Sequence, residues 1–224
     1  MENPLGIKAP RLAAWLVFGL ALIATVAAFV VRGRSQVASS IVLPAEISSR
    51  LQAGDLIFRI GDGWQSETVR GMASIRRERG DPYSHVGMLV GFPEHWQVVH
   101  AVPAEIPGRA DAVVRDDLAF FLAPERARGV AIYRVVAAAA PRAAAVDYVL
   151  HRLGTPFRLV ENDHEGQYCT TLVWTAWQRA GVDLGARFDY LEVPFSAGNY
   201  LLPHSLRAAP GLHLLFEQGP PAAR

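Results

Sequence analysis

The only cysteine of the 224-residue chain, Cys169, lies at the start of a predicted helix. Apolar residues follow it at spacings of 3, 4, 7, 8 and 11, the spacing of one helix face: Leu172, Val173, Ala176, Trp177 and Ala180. Gly181 stands where a C-terminal cap is expected. A thiol at a helix N-terminus is near the positive end of the helix dipole and near free backbone N–H groups. We therefore expect a lowered thiol pKa and a site able to hold an oxyanion during acyl transfer.

Two histidines on neighbouring predicted strands are candidate partners for this thiol. His85 begins a strand over residues 84–91, and His100 lies near the end of a strand over residues 96–102. The short connection at residues 92–95 predicts an antiparallel hairpin, which would bring the two strands side by side. Each of the three residues also has a structural interpretation, since isolated histidines and cysteines on apolar stripes are more often parts of a core.

Taken together, the three residue types allow two kinds of chemistry. As nucleophile, general base and orienting group, Cys169, His85 and His100 would form the triad of a thiol hydrolase that needs no metal or other cofactor. The same three side chains are also suitable ligands for a zinc ion with one open position.

The rest of the pattern predicts an α+β domain. Strands are expected over residues 51–60, from 113, over 129–136 and over 214–216. Helices are expected over about 66–75, at 116–122 and over 141–153, while 183–200 is rich in loop-forming residues.

Residues 12–31 carry no charge and are flanked by Lys8 and Arg11 on one side and by Arg32 and Arg34 on the other. At about 1.5 Å per residue such a segment spans about 30 Å, the thickness of a bilayer core. A secretory signal is the competing interpretation, but its apolar region is usually about 7–15 residues long. We expect a tail at 1–11, an uncleaved single-pass anchor at 12–31 and a tether at 32–50, with the following domain exported to the periplasmic side.

The remaining length suits one domain over residues 51–218, followed by a Pro-Gly-rich tail at 219–224 that is predicted to be disordered. A net charge of +1 without a basic stripe of interleaved aromatics argues against a nucleic-acid partner. A single cysteine excludes an intrachain disulfide. No motif indicates a protein partner.

Four short motifs occur in order along this domain: Gly54-Asp-Leu-Ile-Phe58, Tyr83-Ser-His-Val-Gly-Met-Leu-Val90, Gly154-Thr-Pro-Phe157 and Tyr168-Cys-Thr-Thr-Leu-Val-Trp174. In this set the chain resembles, over about residues 50–210, the YiiX/YebB-like branch of the NlpC-type cysteine hydrolases, a circularly permuted papain-like family. The resemblance implies an antiparallel sheet packed on helices, with the histidine strands before the cysteine helix.

By position, the resemblance implies that Cys169 is the nucleophile, His85 the general base and His100 the third, orienting residue. Tyr168, Ser84 and Thr170 are candidates for binding the oxyanion or the substrate. His100 departs from the glutamate of YiiX-like members, although ordinary NlpC peptidases and lecithin:retinol acyltransferase-like enzymes use histidine there. Thr170 and Thr171 also depart from the serine and glutamate expected after the cysteine.

Three functions follow from these observations. The first is a membrane-anchored amidase or peptidase, acting on bacterial cell-wall peptides through a Cys-His-His triad and a thioester. The second is a lipid-directed acyl hydrolase or acyltransferase, favoured by the apolar segment, by the acyltransferase relatives and by Trp64 and Phe92 if they border the cleft. The third is a non-catalytic binding module or a Cys/His/His zinc site.

Overall fold

One antiparallel sheet organises the part of the chain that the structure describes. The structure is a computed structural model, and it describes residues 41–61, 82–103, 108–161, 167–192 and 197–219. By its internal contacts the chain divides into Met1–Val37 and Ala38–Arg224, and the described residues belong to the second unit.

The strands of these residues form one large and one small sheet. Their bounds are β1 (Leu56–Ile60), β2 (His85–Val90), β3 (Gln97–Val102), β4 (Ala112–Asp117), β5 (Gly129–Val135), β6 (Asp189–Leu191), β7 (Gly198–Tyr200) and β8 (Leu212–Gln218). The large sheet has the order β4-β3-β2-β1-β5-β8 with antiparallel neighbours, and β6 pairs with β7. Because β2 is central, both of its faces are buried.

Helices cover the two faces of the large sheet. Their bounds are α1 (Ala45–Ser48), α2 (Leu118–Phe121), α3 (Ala139–His151), α4 (Cys169–Arg179) and α5 (Pro203–Arg207). Side chains alternate along each strand. Val86 and Met88 therefore join the core formed with α3, α4 and α5, whereas Leu89 joins the core formed with α1 and α2. We call these the α4 face and the α2 face.

The sequence correctly predicted most of these elements. The β2–β3 hairpin, β1, β5, α2 and the two longest helices are confirmed, and the fold is α+β with an antiparallel sheet. The bounds of three elements differ from the prediction: β4 and β8 are longer than expected, and α3 spans Ala139–His151 rather than 141–153. The segment 183–200 holds β6 and β7, which pair only with each other.

Two predicted helices, at 12–31 and at about 66–75, lie outside the described residues. Among the residues that are described, no helix combines the length and the apolar character needed to cross a membrane. The predicted division of the chain into tail, anchor, tether and domain stays a prediction.

The first motif of the domain fixes α4 against the sheet. Gly54 has a φ of +96°, and a Cβ there would lie 3.3 Å from the ring of Trp177, a fully buried residue of α4. The next residue, Asp55, is buried and accepts two hydrogen bonds from Arg134, at 2.9 and 2.7 Å. Its carboxylate also accepts the backbone N–H of Gln52 at 2.8 Å. A buried ion pair therefore closes the turn on which the cysteine helix rests.

Replacing Asp55 by alanine should lower the free energy of unfolding by about 2–4 kcal/mol, because Arg134 would keep a partly buried charge without its partner. Urea titration of the full-length chain in mild detergent, followed by circular dichroism, measures the change. Asp117→Ala is the matched control, since Asp117 is exposed and accepts a hydrogen bond from the side chain of Gln97 at 3.0 Å. Its effect should stay within about 0.5 kcal/mol. Equal effects of the two substitutions would contradict a structural role for the Asp55 ion pair.

Candidate active site

The sulfur of Cys169 lies among backbone N–H groups at the N-terminus of α4. The first backbone bond of the helix runs from the N–H of Leu172 to the carbonyl of Tyr168, at 2.9 Å. The N–H groups of Cys169 and Thr170 precede that bond, and both are directed toward the sulfur. The predicted placement of the thiol at a helix N-terminus is confirmed.

Thr171 caps this helix and accounts for one departure from the family pattern. Its hydroxyl accepts the backbone N–H of Tyr168 at 3.0 Å and donates back to the Tyr168 carbonyl at 3.2 Å. In a capping box, a glutamate or glutamine at this third helical position accepts the same N–H group. A threonine therefore satisfies the helix terminus without placing a carboxylate next to the thiol.

A gap between β2 and β3 receives the thiol. The N–H of Leu89 donates toward β1, and since successive N–H groups of a strand point in opposite directions, that of Val86 points toward β3. The β2–β3 ladder, however, ends at Met88. The Val86 N–H instead interacts with the sulfur of Cys169. The nucleophile candidate thus reaches into the sheet beside the residue that follows His85.

The imidazoles of His85 and His100 meet on the α2 face of the same gap. His85 Nε2 and His100 Nδ1 are 2.7 Å apart, and both rings are buried. The ring of Phe121 in α2 lies against both, with centroid distances of 5.7 and 5.0 Å. Thiol and imidazoles therefore approach the gap from opposite faces of the sheet.

Gly87 makes the imidazole contact possible. It lies on β2 between His85 and Leu89, and a Cβ there would collide with Val98 and lie 3.1 Å from the Cβ of His100. Without a side chain at this position, β3 can place His100 close enough to bond to His85.

Asp116 on β4 continues the polar chain, and the sequence did not reveal it. Its Oδ2 lies 3.0 Å from His100 Nε2, and both carboxylate oxygens accept from Arg109, at 3.0 and 2.7 Å. In the β3–β4 register His100 stands opposite Val114, so Asp116 is its diagonal neighbour on the same face. The available signal was an acidic residue on the strand next to His100, at a position whose side chain points to the same face as His100. The sequence pattern, however, predicts a helical turn at this position.

Burial determines the resting charges of the thiol and the base. It raises the pKa of the Cys169 thiol to about 11, although the N–H groups of Val86 and Thr170 and the charge of Arg59 act in the opposite direction. Burial, Arg59 and His100 lower the pKa of His85 well below its usual value. The expectation of a lowered thiol pKa is therefore wrong: in this structure the resting pair is a neutral thiol and a neutral imidazole.

The three flanking candidates have structural contacts. Ser84 links β1 to β2, since its hydroxyl accepts from the N–H of Gly61 at 2.9 Å and donates to the carbonyl of that residue at 3.1 Å. Thr170 Oγ1 donates to the carbonyl of Leu201 at 2.6 Å, while the hydroxyl of Tyr168 accepts the Leu201 N–H at 2.9 Å. Their part in binding an oxyanion or a substrate stays a prediction.

The third motif connects the edge of the sheet to the entry of α4. The carbonyl of Thr155 accepts the N–H of Val113 in β4, and Gly154 donates to the Val113 carbonyl, both at 2.9 Å. Arg158 then exchanges two backbone bonds of 2.9 Å with Gln167. These backbone bonds connect the strand that carries Asp116 to the segment that leads into the helix of Cys169.

A thiol at a helix N-terminus, packed against a sheet that carries a buried histidine pair, is an arrangement typical of papain-like thiol hydrolases. Residues 50–212 match the family described as permuted papain-like amidase enzymes, YaeF/YiiX, family C92. This chain belongs to that family, which confirms the resemblance carried by the four motifs. The activity class of the family is that of a cysteine-type amidase or hydrolase, and the histidine strands precede the cysteine helix as the permutation requires.

The fold also has a counterpart among solved structures. The chain is similar to the metalloprotein YiiX from Escherichia coli O157:H7, with a TM-score of 0.58 and 21% sequence identity over 75% of this chain and 98% of the other. At this identity the likeness concerns the fold. No curated protein matches the sequence.

The neutral resting pair predicts the pH dependence of alkylation. Because the pKa of Cys169 is raised to about 11, its reaction with iodoacetamide should be slow at pH 7 and should rise about tenfold per pH unit up to that pKa. Cys169 is the only cysteine, so the labelled fraction measured by mass spectrometry reports this site alone. A rate plateau between about pH 5 and 8 would instead reveal a resting thiolate–imidazolium pair.

Proposed function

We propose that this protein hydrolyses amide bonds of peptides, with Cys169 as nucleophile, His85 as general base and His100 as the group that orients the base. The observation that carries the proposal is the position of Cys169 at the N-terminus of α4, packed in the core with Val86 of β2, together with the bond of 2.7 Å between the imidazoles of His85 and His100. This is the nucleophile–base–orienter arrangement of covalent acyl transfer.

In the proposed reaction the proton moves only when substrate is present. The S–H proton of Cys169 passes to Nδ1 of His85 while the sulfur bonds to the carbonyl carbon, whose oxygen becomes an oxyanion. Collapse of this intermediate breaks the C–N bond, and the His85 imidazolium protonates the departing amine. Water then attacks the thioester, giving its proton to His85, and the acid leaves as the Cys169 thiol is restored.

The surroundings of the gap suit this sequence of steps. A neutral histidine is a competent base, and His100 accepts the Nε2–H of His85 when that ring becomes positively charged. The N–H of Cys169 and the N-terminus of α4 stabilise the oxyanion as it forms. The positive charge of Arg59, which stands opposite His85 in the β1–β2 register, also stabilises a developing thiolate.

The zinc alternative does not fit the observed side chains. Two nitrogen ligands at about 2.0–2.1 Å from a tetrahedral zinc ion lie about 3.3 Å apart. His85 Nε2 and His100 Nδ1 are closer, at the distance of a direct hydrogen bond. Within the described ranges, no three histidine, cysteine, aspartate or glutamate side chains are grouped so that they could hold a metal. YiiX, in contrast, is described as a metalloprotein.

Substitution of the proposed nucleophile and base tests the reaction. Cys169→Ser and His85→Ala should each lower hydrolysis of cell-wall peptide amides by at least about 10²-fold, since each removes a reacting group. His95→Ala is the matched control, because His95 is exposed in the hairpin turn and should leave the rate unchanged. Release of free amine measures turnover. Full activity of His85→Ala would exclude His85 as the base.

A lipid substrate is the second candidate, favoured by the apolar segment 12–31. The same assay with lipid esters in place of peptide amides separates the two. Faster release of fatty acid than of amine, with the same loss in Cys169→Ser, would replace the amidase by a lipid acyl hydrolase.

We further propose that residues 12–31 anchor the protein in the membrane with the hydrolase domain on the periplasmic side. Full-length protein expressed in bacteria should stay with the membrane fraction in alkaline carbonate, and its domain should become sensitive to added protease once the outer membrane is permeabilised. A variant without residues 1–40 should be found in the supernatant. Release of the full-length chain by carbonate would contradict the anchor.

A further inference from the structure

The Arg109–Asp116 pair stands behind the imidazoles, at the far end of the polar chain from the thiol. The side chain of Asp116 is 11% exposed and that of Arg109 is 23% exposed, so the pair is largely withdrawn from water. The two parallel bonds from the guanidinium fix the carboxylate in the plane that faces His100.

The direction of each hydrogen bond follows from this carboxylate. An ionised carboxylate only accepts hydrogen bonds, so His100 must donate its Nε2–H to Asp116. A neutral imidazole with its proton on Nε2 has its lone pair on Nδ1. His100 Nδ1 must therefore accept, and the proton in the bond of 2.7 Å must come from His85 Nε2. The lone pair of His85 is then on Nδ1.

We infer that Asp116, held by Arg109, is a positioning residue that acts through His100 to fix the tautomer of His85, so that His85 offers a lone pair and not a proton to the thiol. The inference deepens the proposed function and rests on it only for its catalytic consequence. In the opposite tautomer His85 Nδ1 would carry a proton and could not act as a base toward Cys169.

The charge state of the carboxylate supports this assignment over the working pH range. Although burial acts in the opposite direction, the hydrogen bonds from His100 and Arg109 lower the pKa of Asp116 to about 2. Asp116 is therefore ionised at neutral pH, where His85 is a neutral base. Of the groups around His85, Arg59 from β1 and His100 from β3 lower its pKa, and neither carries a negative charge. The negative charge that directs the hydrogen bonds therefore comes from Asp116.

The experiment reads the tautomers directly. Full-length protein labelled with ¹⁵N-histidine is studied by two-bond ¹H–¹⁵N correlation spectra, which distinguish protonated from unprotonated ring nitrogens. In the wild type at pH 7, His85 and His100 should both carry the proton on Nε2. A wild-type His85 with its proton on Nδ1 overturns the inference, whether or not any variant folds.

Asp116→Asn tests whether the carboxylate of Asp116 fixes the tautomer of His85. An amide can donate as well as accept, so the fixed direction of the bonds is lost and His85 should populate the Nδ1–H tautomer. Asp117→Asn, the neighbouring change on β4, should leave the tautomers as in the wild type. Unchanged tautomers in Asp116→Asn overturn the inference.

Hydrolysis separates this inference from the proposed function. Asp116→Asn should lower kcat by about 10²-fold with KM unchanged, because substrate contacts are kept while the fraction of competent base falls. Loss of the tautomer preference without any hydrolysis by the wild type would leave the positioning role intact and reject the amidase. Loss of the preference with kcat unchanged would reject the role of the tautomer in catalysis.

Discussion

The direct hydrogen bond between two buried imidazoles sets the requirements for much of the surrounding structure. Buried polar groups are costly unless each of them is bonded, so His85 and His100 need partners within the protein. Gly87 leaves the space for their approach, the ring of Phe121 covers them, and Asp116 accepts the outer N–H. This series of hydrogen-bonded side chains ends in the ion pair of Asp116 with Arg109, which neutralises the carboxylate near the sheet edge.

The proposed nucleophile and base lie in different layers of the fold, and both lie beside the point where the ladder between β2 and β3 stops. The backbone N–H of Val86, released from strand pairing, interacts with the sulfur. An interruption in a sheet thus supplies both the space for the thiol and a donor for it. The buried Asp55–Arg134 pair and the close contact of Gly54 with Trp177 hold the cysteine helix at that level of the sheet.

Periodicity predicted the sheet strands and the long helices because their side chains alternate or recur regularly between two cores. The same alternation predicted the hairpin that places the strands of His85 and His100 side by side. The apolar spacing after Cys169 predicted the start of a helix. Asp116 escaped prediction because its contact with His100 depends on the β3–β4 register, which the sequence pattern does not determine. The thiol pKa was mispredicted because the helix N-terminus is visible in sequence, whereas the depth of burial that outweighs it is a property of the assembled core.

The hydrogen-bonded side chains from His85 to Arg109 lie in one continuous segment of three antiparallel strands. His85, His100, Arg109 and Asp116 all belong to residues 85–116, whereas Cys169 follows after another strand and two helices. Proteins are synthesised from the amino terminus, and pairing of neighbouring strands needs only short loops to close. The proposed base and its orienting groups can therefore assemble before the proposed nucleophile has been translated. In this circular permutation the sulfur is the last of these groups to be synthesised.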